Sequence, residues 1–222
     1  MAITLAEEIM LLSLDDESGA AKQRQAAAWA VAGGLLLDLV LAGRVAVAGK
    51  RVAVADATPT GEPLLDERLA LLKAWIGDRD GRRVTDWLTK DQSKAVAPTV
   101  ERLCARGVVV EEKRKAMGLF PVRRYPEADG TVERELRDRL STVVLHAGEP
   151  DARTAGLIAL IHGAGLHEAA FPGRRRKDLA ARMEQVTDGQ WAGESVRAAI
   201  RDMQALMAAV TAATVATVVA AG

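Results

Sequence analysis

The feature that most constrains the fold of this chain is a long apolar pattern between Gln23 and Leu41. Its apolar residues recur every three or four positions, as on one face of an α-helix, at Val31, Leu35, Leu36, Leu39 and Val40. Gly43 stands where a glycine commonly ends a helix. Gly33 and Gly34 lie inside the helix and follow no strand, so we expect them to permit close approach of another helix rather than to bind phosphate. The pattern favours a fold built on packed helices.

The composition agrees with this interpretation. Alanine contributes 42 of the 222 residues and aromatic residues make up 3%, and alanine favours helices whereas aromatic residues favour strands. A hydrophobic fraction of 49% in a chain of this length suffices for a core without disulfides. The single cysteine, Cys104, permits no intramolecular disulfide, which indicates a reducing compartment. We therefore expect a mainly α protein in the cytoplasm.

Charge and hydropathy argue against several classes of protein. The 30 basic residues balance the 30 acidic residues, so general coating of DNA or RNA is not expected. The N-terminus has no basic segment, and Glu7 and Glu8 interrupt its apolar stretch, which argues against a signal peptide. The run Met203–Gly222 carries no charge, but it consists mostly of alanine, valine and threonine. We interpret it as a final helix buried inside the protein rather than as a transmembrane span.

Local signals predict the remaining elements. Thr4 and Glu7 form a capping-box pattern before the first helix, and Pro63 suits the first turn of a later one. The predicted helices are 5–14, 23–41, 64–76, 84–88, 96–106, 132–146, 152–170, 174–185 and 194–222, with breaks at Asp80-Gly81 and Pro98. Alternating valines around Gly49-Lys50 predict a hairpin over 45–54, and a second hairpin begins at 107–110 and returns over 119–125. No linker or repeat divides the chain, so we predict one domain over residues 1–222.

The second hairpin combines cations with apolar side chains near its tip. These residues are Lys113, Arg114, Lys115, Met117, Leu119, Phe120, Arg123 and Arg124. Cations beside exposed apolar side chains suit an anionic bilayer, at about 1 kcal/mol per basic residue near the surface. The same tip would also suit insertion into a neighbouring subunit, and a solvated turn is the third interpretation. We rank self-association first, membrane contact second and the solvated turn third.

A second set of cations lies at the start of the long helix and farther along the chain. Lys22 and Arg24 precede Trp29, and Lys90 and Lys94 stand four residues apart. Together these cations would form a weak site for an anion or a lipid head group, although ordinary solvated charge is the simpler interpretation. Trp29 suits a core position better than an interface or membrane anchor.

The other polar residues form no catalytic or metal-binding pattern. His162 and His167 lie five positions apart and do not share a helix face, as metal ligands do at a spacing of four. Cys104 has no obvious activating partner and is expected to be inert. The basic run 173–177 follows Pro172 and is typical of a solvated turn. We therefore expect no enzymatic activity, no metal and no cofactor.

Five stretches of the chain carry a family resemblance. They are LAEEIMLLSLDD at 5–16, LLLDLVLAGRV at 35–45, PTGEPLLDE at 59–67, LCARGVV at 103–109 and LIALIHGAGLH at 157–167. In this order they resemble the Golgi phosphoprotein 3 family, in its bacterial branch, over nearly the whole chain. The stretch 59–67 is the most specific of them. The alanine-rich, lysine-poor composition agrees with a bacterium of high GC content.

The resemblance implies a central helical bundle wrapped by amphipathic helices, with one or two small β-hairpins, one of them projecting. It also implies the properties of eukaryotic members. These are peripheral to Golgi membranes, bind phosphatidylinositol 4-phosphate and the cytosolic tails of glycosyltransferases, and in some cases self-associate through the projecting hairpin. No enzymatic activity follows from it.

The family's lipid pocket uses one tryptophan and three arginines. The positions that correspond to them here are Gln23, Ala32, Ser93 and Val96. Alanine and valine offer a phosphate no hydrogen-bond donor from the side chain. Specific recognition of phosphatidylinositol 4-phosphate therefore does not follow from these residues.

The sequence supports two hypotheses about function. The first is a non-enzymatic peripheral membrane or adaptor protein that contacts an anionic lipid surface on the cytoplasmic face of a membrane. The alternative is a soluble bacterial scaffold, a homo-oligomer formed through the hairpin, that kept the fold and lost lipid binding. Neither hypothesis includes nucleic acid or a transmembrane span.

Overall fold

Helices dominate the described part of the chain. The computed structural model describes residues 3–14, 23–116, 120–126, 128, 130–189 and 192–220, and of 113–116, 120–123 and 213–220 it describes the backbone. The helices are α1 (Leu5–Ser13), α2 (Arg24–Leu41), α3 (Pro63–Ile76), α4 (Val84–Ala105), α5 (Thr131–Val144), α6 (Ala152–Ala164), α7 (His167–Ala170), α8 (Arg176–Asp188) and α9 (Glu194–Ala220). The strands are β1 (Val45–Ala48), β2 (Arg51–Val54), β3 (Arg82–Arg83), β4 (Glu112–Ala116) and β5 (Phe120–Arg124). The predicted mainly α fold with small hairpins is confirmed.

The bundle is arranged around α2. This helix packs against α1, α4, α6 and α9, and every residue from Trp29 to Val40 is buried. Among the described residues, α2 is the one helix long and apolar enough to cross a membrane, and most of it lies inside the bundle. A helix that is apolar nearly all round and covered by neighbours is a core helix.

Two glycines let other helices approach α2 closely. A Cβ added at Gly34 would lie 2.8 Å from the backbone nitrogen of Ala6 in α1. A Cβ added at Gly33 would lie 2.9 Å from Cδ2 of Leu160 in α6. The expectation that these small residues serve helix packing is therefore confirmed.

The local signals of the sequence form the elements that they predict. Thr4 and Glu7 make both hydrogen bonds of a capping box at the start of α1. Pro63 is the first residue of α3, where its missing N–H costs no hydrogen bond. Gly49 and Lys50 both have positive φ angles, 56° and 63°, as a tight hairpin turn between β1 and β2 requires.

Pro98 does not divide α4, contrary to the sequence prediction of two separate helices over 84–88 and 96–106. A proline in a helix removes the hydrogen bond to the carbonyl four residues earlier, which here belongs to Lys94. That carbonyl accepts instead from Nη2 of Arg68 in α3 at 2.9 Å. Nη1 of Arg68 also pairs with Asp91 at 3.0 Å. A distant side chain thus replaces the backbone donor that Pro98 lacks.

Three further boundaries differ from the sequence prediction. The predicted helix 152–170 is divided into α6 and α7, because Gly165 adopts a left-handed conformation with φ 72°. The strand predicted to start at 107–110 begins at Glu112. A short third strand, β3, which the sequence did not predict, pairs antiparallel with β2.

The final helix is only partly buried, which corrects the expectation of a fully internal helix. The buried side chains of α9 are Ala199, Ile200, Met203, Leu206 and Met207. The side chains of Ala208, Ala209 and Ala212 are exposed, and those of Val210 and Thr211 are half-buried. Within the described side chains, full burial of α9 therefore ends at Met207, and Val210 is half-buried against the core.

Buried ion pairs attach α1 to its neighbours. The fully buried Glu7 pairs with Nε of Arg106 at 2.8 Å, next to the end of α4. Asp38 in α2 accepts the backbone N–H of Leu5 at 2.7 Å and pairs with Arg153 in α6 at 2.6 Å. Burial nevertheless raises the pKa of Asp38 to about 6. These contacts fix the start of the chain on the bundle.

Candidate functional site

An open cavity lies at the end of the bundle where α2 begins. Its volume is about 460 Å³, within the range typical of small-molecule pockets. Its walls are formed by Gln23, Arg24, Gln25, Ala26 and Trp29 at the start of α2, Ala164 and Gly165 at the end of α6, Arg176 of α8 and Thr211 of α9. Four helices that are distant in sequence therefore contribute to one concave surface.

Two guanidinium groups give this cavity a positive charge. Arg24 and Arg176 are exposed, and neither forms an ion pair with any residue that the structure describes. The neighbouring Arg175, by contrast, pairs with Asp178 at 2.9 Å. Among the described residues, no carboxylate lines the cavity. Unpaired guanidinium groups that share a wall form a favourable place for an anion.

The helix ends add to this charge. Both α2 and α8 begin at the cavity, and neither has a side chain that caps its first N–H groups. The first turn of α2 contains no acidic residue, whereas the first turn of α8 contains Asp178, which pairs with Arg175. Uncapped N–H groups and the helix dipole place partial positive charge at a helix N-terminus. The N-terminus of α2 thus reinforces the charge of Arg24 and Arg176, whereas Asp178 offsets that of α8.

Trp29 occupies a core position, as predicted from the sequence. Its side chain is 8% exposed and belongs to the main hydrophobic core. It nevertheless forms part of the cavity wall, four residues after Gln25. The aromatic ring therefore gives the cationic cavity an apolar side.

The cations predicted to form an anion site do not all line this cavity. Arg24 lines the cavity, whereas Lys90 and Lys94 lie exposed on α4 and do not line it. The contact between the two segments is a hydrogen bond of 2.7 Å from Gln25 to Gln92. Lys22 lies outside the described residues. Binding by any of these four residues stays a prediction.

Arg176 is the residue that the sequence analysis assigned to another role. The run 173–177 was expected to be a solvated turn at the start of a helix, and its fourth residue does start α8 and is exposed, but it also lines the cavity. The only local signal was a basic residue at a helix start after Pro172. Arg176 and Arg24 line the same cavity because α8 packs against α6 and α9. Local sequence patterns do not predict this packing.

The positions that correspond to the family's lipid pocket supply no cation. Gln23 lines the cavity, and Ala32 is fully buried inside α2. Ser93 is exposed on α4 and Val96 is half-buried there. Among the described residues, none of α4 lines the cavity, although Gln25 of its wall donates a hydrogen bond to Gln92, next to Ser93.

The second hairpin has the predicted antiparallel pairing. Its register places Lys113 opposite Arg123, Arg114 opposite Val122 and Lys115 opposite Pro121, and it pairs Phe120 with Ala116 and Arg124 with Glu112. Leu119 and Met117 lie outside the described residues. The roles proposed for this hairpin stay predictions.

Two histidines lie close to each other near the cavity. Nδ1 of His162 is 3.0 Å from Nε2 of His167, and the two rings meet edge to face. Burial lowers the pKa of both, and for His167 the neighbouring His162 and Arg176 help to lower it to about 4. One neutral ring donates and the other accepts at neutral pH.

We expect this histidine pair to make the protein less stable in acid. The pKa of His167 is 6.5 in an unfolded chain and about 4 in the fold, so the unfolded chain binds the proton first. The free energy of unfolding should therefore fall by about 3 kcal/mol as the pH drops between these two values, at about 1.4 kcal/mol per pKa unit, and remain level below them. Urea unfolding at several pH values checks this prediction.

The comparison variant is His167→Gln. Asp38 acts in the opposite direction, because its raised pKa of about 6 makes the fold less stable as the pH rises from 3.8 towards that value. Asp38 is present in both proteins, so its effect cancels in the difference between them. If the free energy of unfolding falls equally with pH in wild type and variant, His167 does not cause the loss of stability in acid.

The remaining candidate groups show little sign of catalysis. Within the described residues, no group of three or more His, Cys, Asp or Glu side chains could hold a metal ion. Burial raises the pKa of the Cys104 thiol, and Glu111 and Glu101 raise it further. A raised pKa disfavours the reactive thiolate.

Comparison with known proteins agrees with the sequence motifs. The sequence model of the Golgi phosphoprotein 3 (GPP34) family matches residues 5–203. A curated relative, vacuolar protein sorting-associated protein 74 of Eremothecium gossypii, is 25% identical over 200 residues, which cover 75% of this chain and 60% of the relative. The aligned part thus spans less than two thirds of the relative's length.

The family match extends over α1 to α8 and the first ten residues of α9, 194–203. It includes the α1–α2 contact, both hairpins and the motif at 59–67. The bacterial branch stays a prediction. Because the matched segment covers most of the sequence, the chain belongs to the Golgi phosphoprotein 3 family.

Proposed function

We propose that this chain is a non-enzymatic peripheral membrane adaptor that docks on an anionic lipid surface through the cavity end of the bundle. The observation that carries the proposal is the pair of guanidinium groups, Arg24 and Arg176, that share one wall without an ion-pair partner among the described residues. The N-terminus of α2, which no described side chain caps, lies at the same place. The name of the fungal relative, a vacuolar protein sorting-associated protein, agrees with an adaptor role.

The proposal concerns anionic head groups in general. The tryptophan and arginines of the family's specific pocket are replaced here by Gln23, Ala32, Ser93 and Val96, so selectivity for phosphatidylinositol 4-phosphate is not part of it. Attraction to a charged leaflet needs no such pocket, because each basic residue near the surface contributes about 1 kcal/mol. Binding should then depend on lipid charge more than on head-group identity.

Flotation with vesicles tests the proposal. We expect the protein to float at low salt with vesicles that contain phosphatidylserine and to stay at the bottom with phosphatidylcholine alone. Arg24→Gln combined with Arg176→Gln should remove about 2 kcal/mol, which is about a 30-fold loss of partitioning. Vesicles with phosphatidylinositol 4-phosphate at the same total charge should bind no better than phosphatidylserine.

A matched control separates this surface from general charge. Arg79 and Arg83 are also exposed, form no ion pair within the described residues and do not line the cavity. Replacing both by glutamine changes the net charge equally but should change flotation by less than about twofold. Equal losses in both double variants would contradict docking through the cavity end.

The scaffold alternative is supported by a different observation. Strands β4 and β5 pair with each other, and in the described residues neither packs broadly against a helix. Such a ribbon offers free edges to a second chain. A wild-type protein that never floats, but sediments with more than the mass of one chain, would favour this alternative over membrane docking.

A further inference from the structure

The last helix changes character along its length. Asp202 is the last charged residue of the sequence, so 203–222 contains none. Up to Met207, α9 packs its apolar side chains into the core, against α2 and α6. From Ala208 onward, its described side chains are exposed or half-buried. The helix continues to Ala220, which adds a further length of about 20 Å.

This second part of α9, residues 208–220, is hereafter the α9 extension. It consists of alanine, valine and threonine only. A helix exposed to water normally carries charged residues on its outer face. The exposed positions Ala208, Ala209 and Ala212 carry none, so the outer face of the extension lacks the pattern of a water-facing helix.

The α9 extension starts beside the cations of the cavity. Thr211 lines the same cavity as Arg24 and Arg176. The Oγ1 atom of Thr211 is buried and has no hydrogen-bond partner in the described residues. An uncharged helix next to guanidinium groups matches the boundary of an anionic bilayer, where phosphates lie above the acyl chains.

We propose that the α9 extension inserts into the boundary between the head groups and acyl chains of an anionic bilayer, while Arg24 and Arg176 contact lipid phosphates. This inference rests on the proposed function and names the element that enters the membrane. Alanine and threonine gain little from lipid, so the insertion is shallow and depends on the flanking cations.

A second copy of this chain is a less suitable cover for the extension. In a two-fold symmetric dimer, the same patch of each copy faces the other. The guanidinium groups beside the extension would then approach those of the second copy, and like charges across an interface are unfavourable. A lipid surface supplies the opposite charge instead.

Charged substitutions on the extension test the inference. Ala208 and Ala212 are exposed and lie four residues apart, so Ala208→Glu with Ala212→Glu should leave folding intact. We expect this double variant to float at least about tenfold less with phosphatidylserine vesicles. The matched control is Ala70→Glu with Ala74→Glu, an exposed pair with the same spacing on α3, which should lose less than about twofold.

A fluorescent probe reports on insertion directly. In a Cys104→Ser background, Ala212→Cys labelled with the environment-sensitive dye NBD should shift its emission to the blue when phosphatidylserine vesicles are added. The same label at Ala74→Cys should not shift. Thermal unfolding of each variant confirms that the fold is retained.

The outcomes separate the inference from the proposed function. Flotation of wild type without a blue shift at position 212, and with undiminished binding of Ala208→Glu with Ala212→Glu, would overturn the inference and leave the proposed function intact. Absence of flotation by wild type would overturn both. A mass above one chain that drops in this double variant without vesicles would assign the extension to a second copy and also overturn the inference.

Discussion

Replacing Arg68 by methionine is expected to lower the free energy of unfolding by about 3–5 kcal/mol. The guanidinium group of Arg68 and the carboxylate of Asp91 are 4% and 3% exposed, so the variant would leave a charge without its partner inside the protein. Burial already raises the pKa of Asp91 although Arg68 lowers it. The same substitution also removes the donor to the Lys94 carbonyl. Urea unfolding followed by circular dichroism measures the loss.

Two second-site changes divide this loss into its parts. Arg68→Met with Asp91→Leu removes the unpaired charge and should recover most of the stability, since an apolar pair often replaces a buried ion pair without loss. Adding Pro98→Ala gives Lys94 a backbone donor again, and should recover about 1 kcal/mol more. Arg79→Met, at an exposed arginine, should change stability by less than about 0.5 kcal/mol. A loss in Arg68→Met no larger than that of Arg79→Met would contradict the role assigned to Arg68.

Gly34→Ala is expected to destabilise the protein by about 2–3 kcal/mol. Its Cβ would lie 2.8 Å from the backbone nitrogen of Ala6 and 3.1 Å from the Cα of Ala6. These atoms belong to the backbone of α1, which buried ion pairs hold on the bundle, so α1 as a whole would have to move. Chemical unfolding of the variant measures the effect.

The adjacent glycine provides the control for this substitution. A Cβ at Gly33 would meet Cδ2 of Leu160 at 2.9 Å and Cε of Met203 at 3.3 Å, which are the ends of flexible side chains. Alanine is also a better helix former than glycine by about 1 kcal/mol. Gly33→Ala should therefore be nearly neutral. Equal losses at both positions would show that backbone contact with α1 is not the cause.

The sequence predicted those elements whose signals are local. The capping box of Thr4 and Glu7, the proline at the start of α3 and the Gly49-Lys50 turn each involve residues a few positions apart. Their preferences arise from backbone geometry and short-range hydrogen bonds, which the sequence states directly. The family motifs also allowed the order of the elements along the chain to be predicted.

The elements that were predicted wrongly depend on distant residues. The single helix α4 exists because Arg68, 26 residues before Lys94, supplies the missing donor. The exposure of Ala208, Ala209 and Ala212 on α9 likewise depends on which helices pack beside them. A pattern of hydrophobic residues cannot report either fact, because both are set by tertiary packing.

The candidate site was predictable only in part. Arg24 was singled out from the sequence as a candidate cation, and it lines the cavity. Arg176 was interpreted as part of a solvated turn, although it lines the same wall. The two residues lie far apart in the chain, and only the packing of α8 beside the start of α2 brings them together.

The central position of α2 has a consequence for folding during synthesis. Part of the surface of α2 is covered by α9. The backbone N–H of Lys50, in the turn after β1, also donates a hydrogen bond to Asp202 of α9, which lies 152 positions later in the chain. Contacts between such distant segments slow folding, and a growing chain forms them last. During synthesis, the apolar surface of α2 that α9 will cover therefore stays exposed until α9 has left the ribosome. We expect chaperones to bind nascent α2 for this reason.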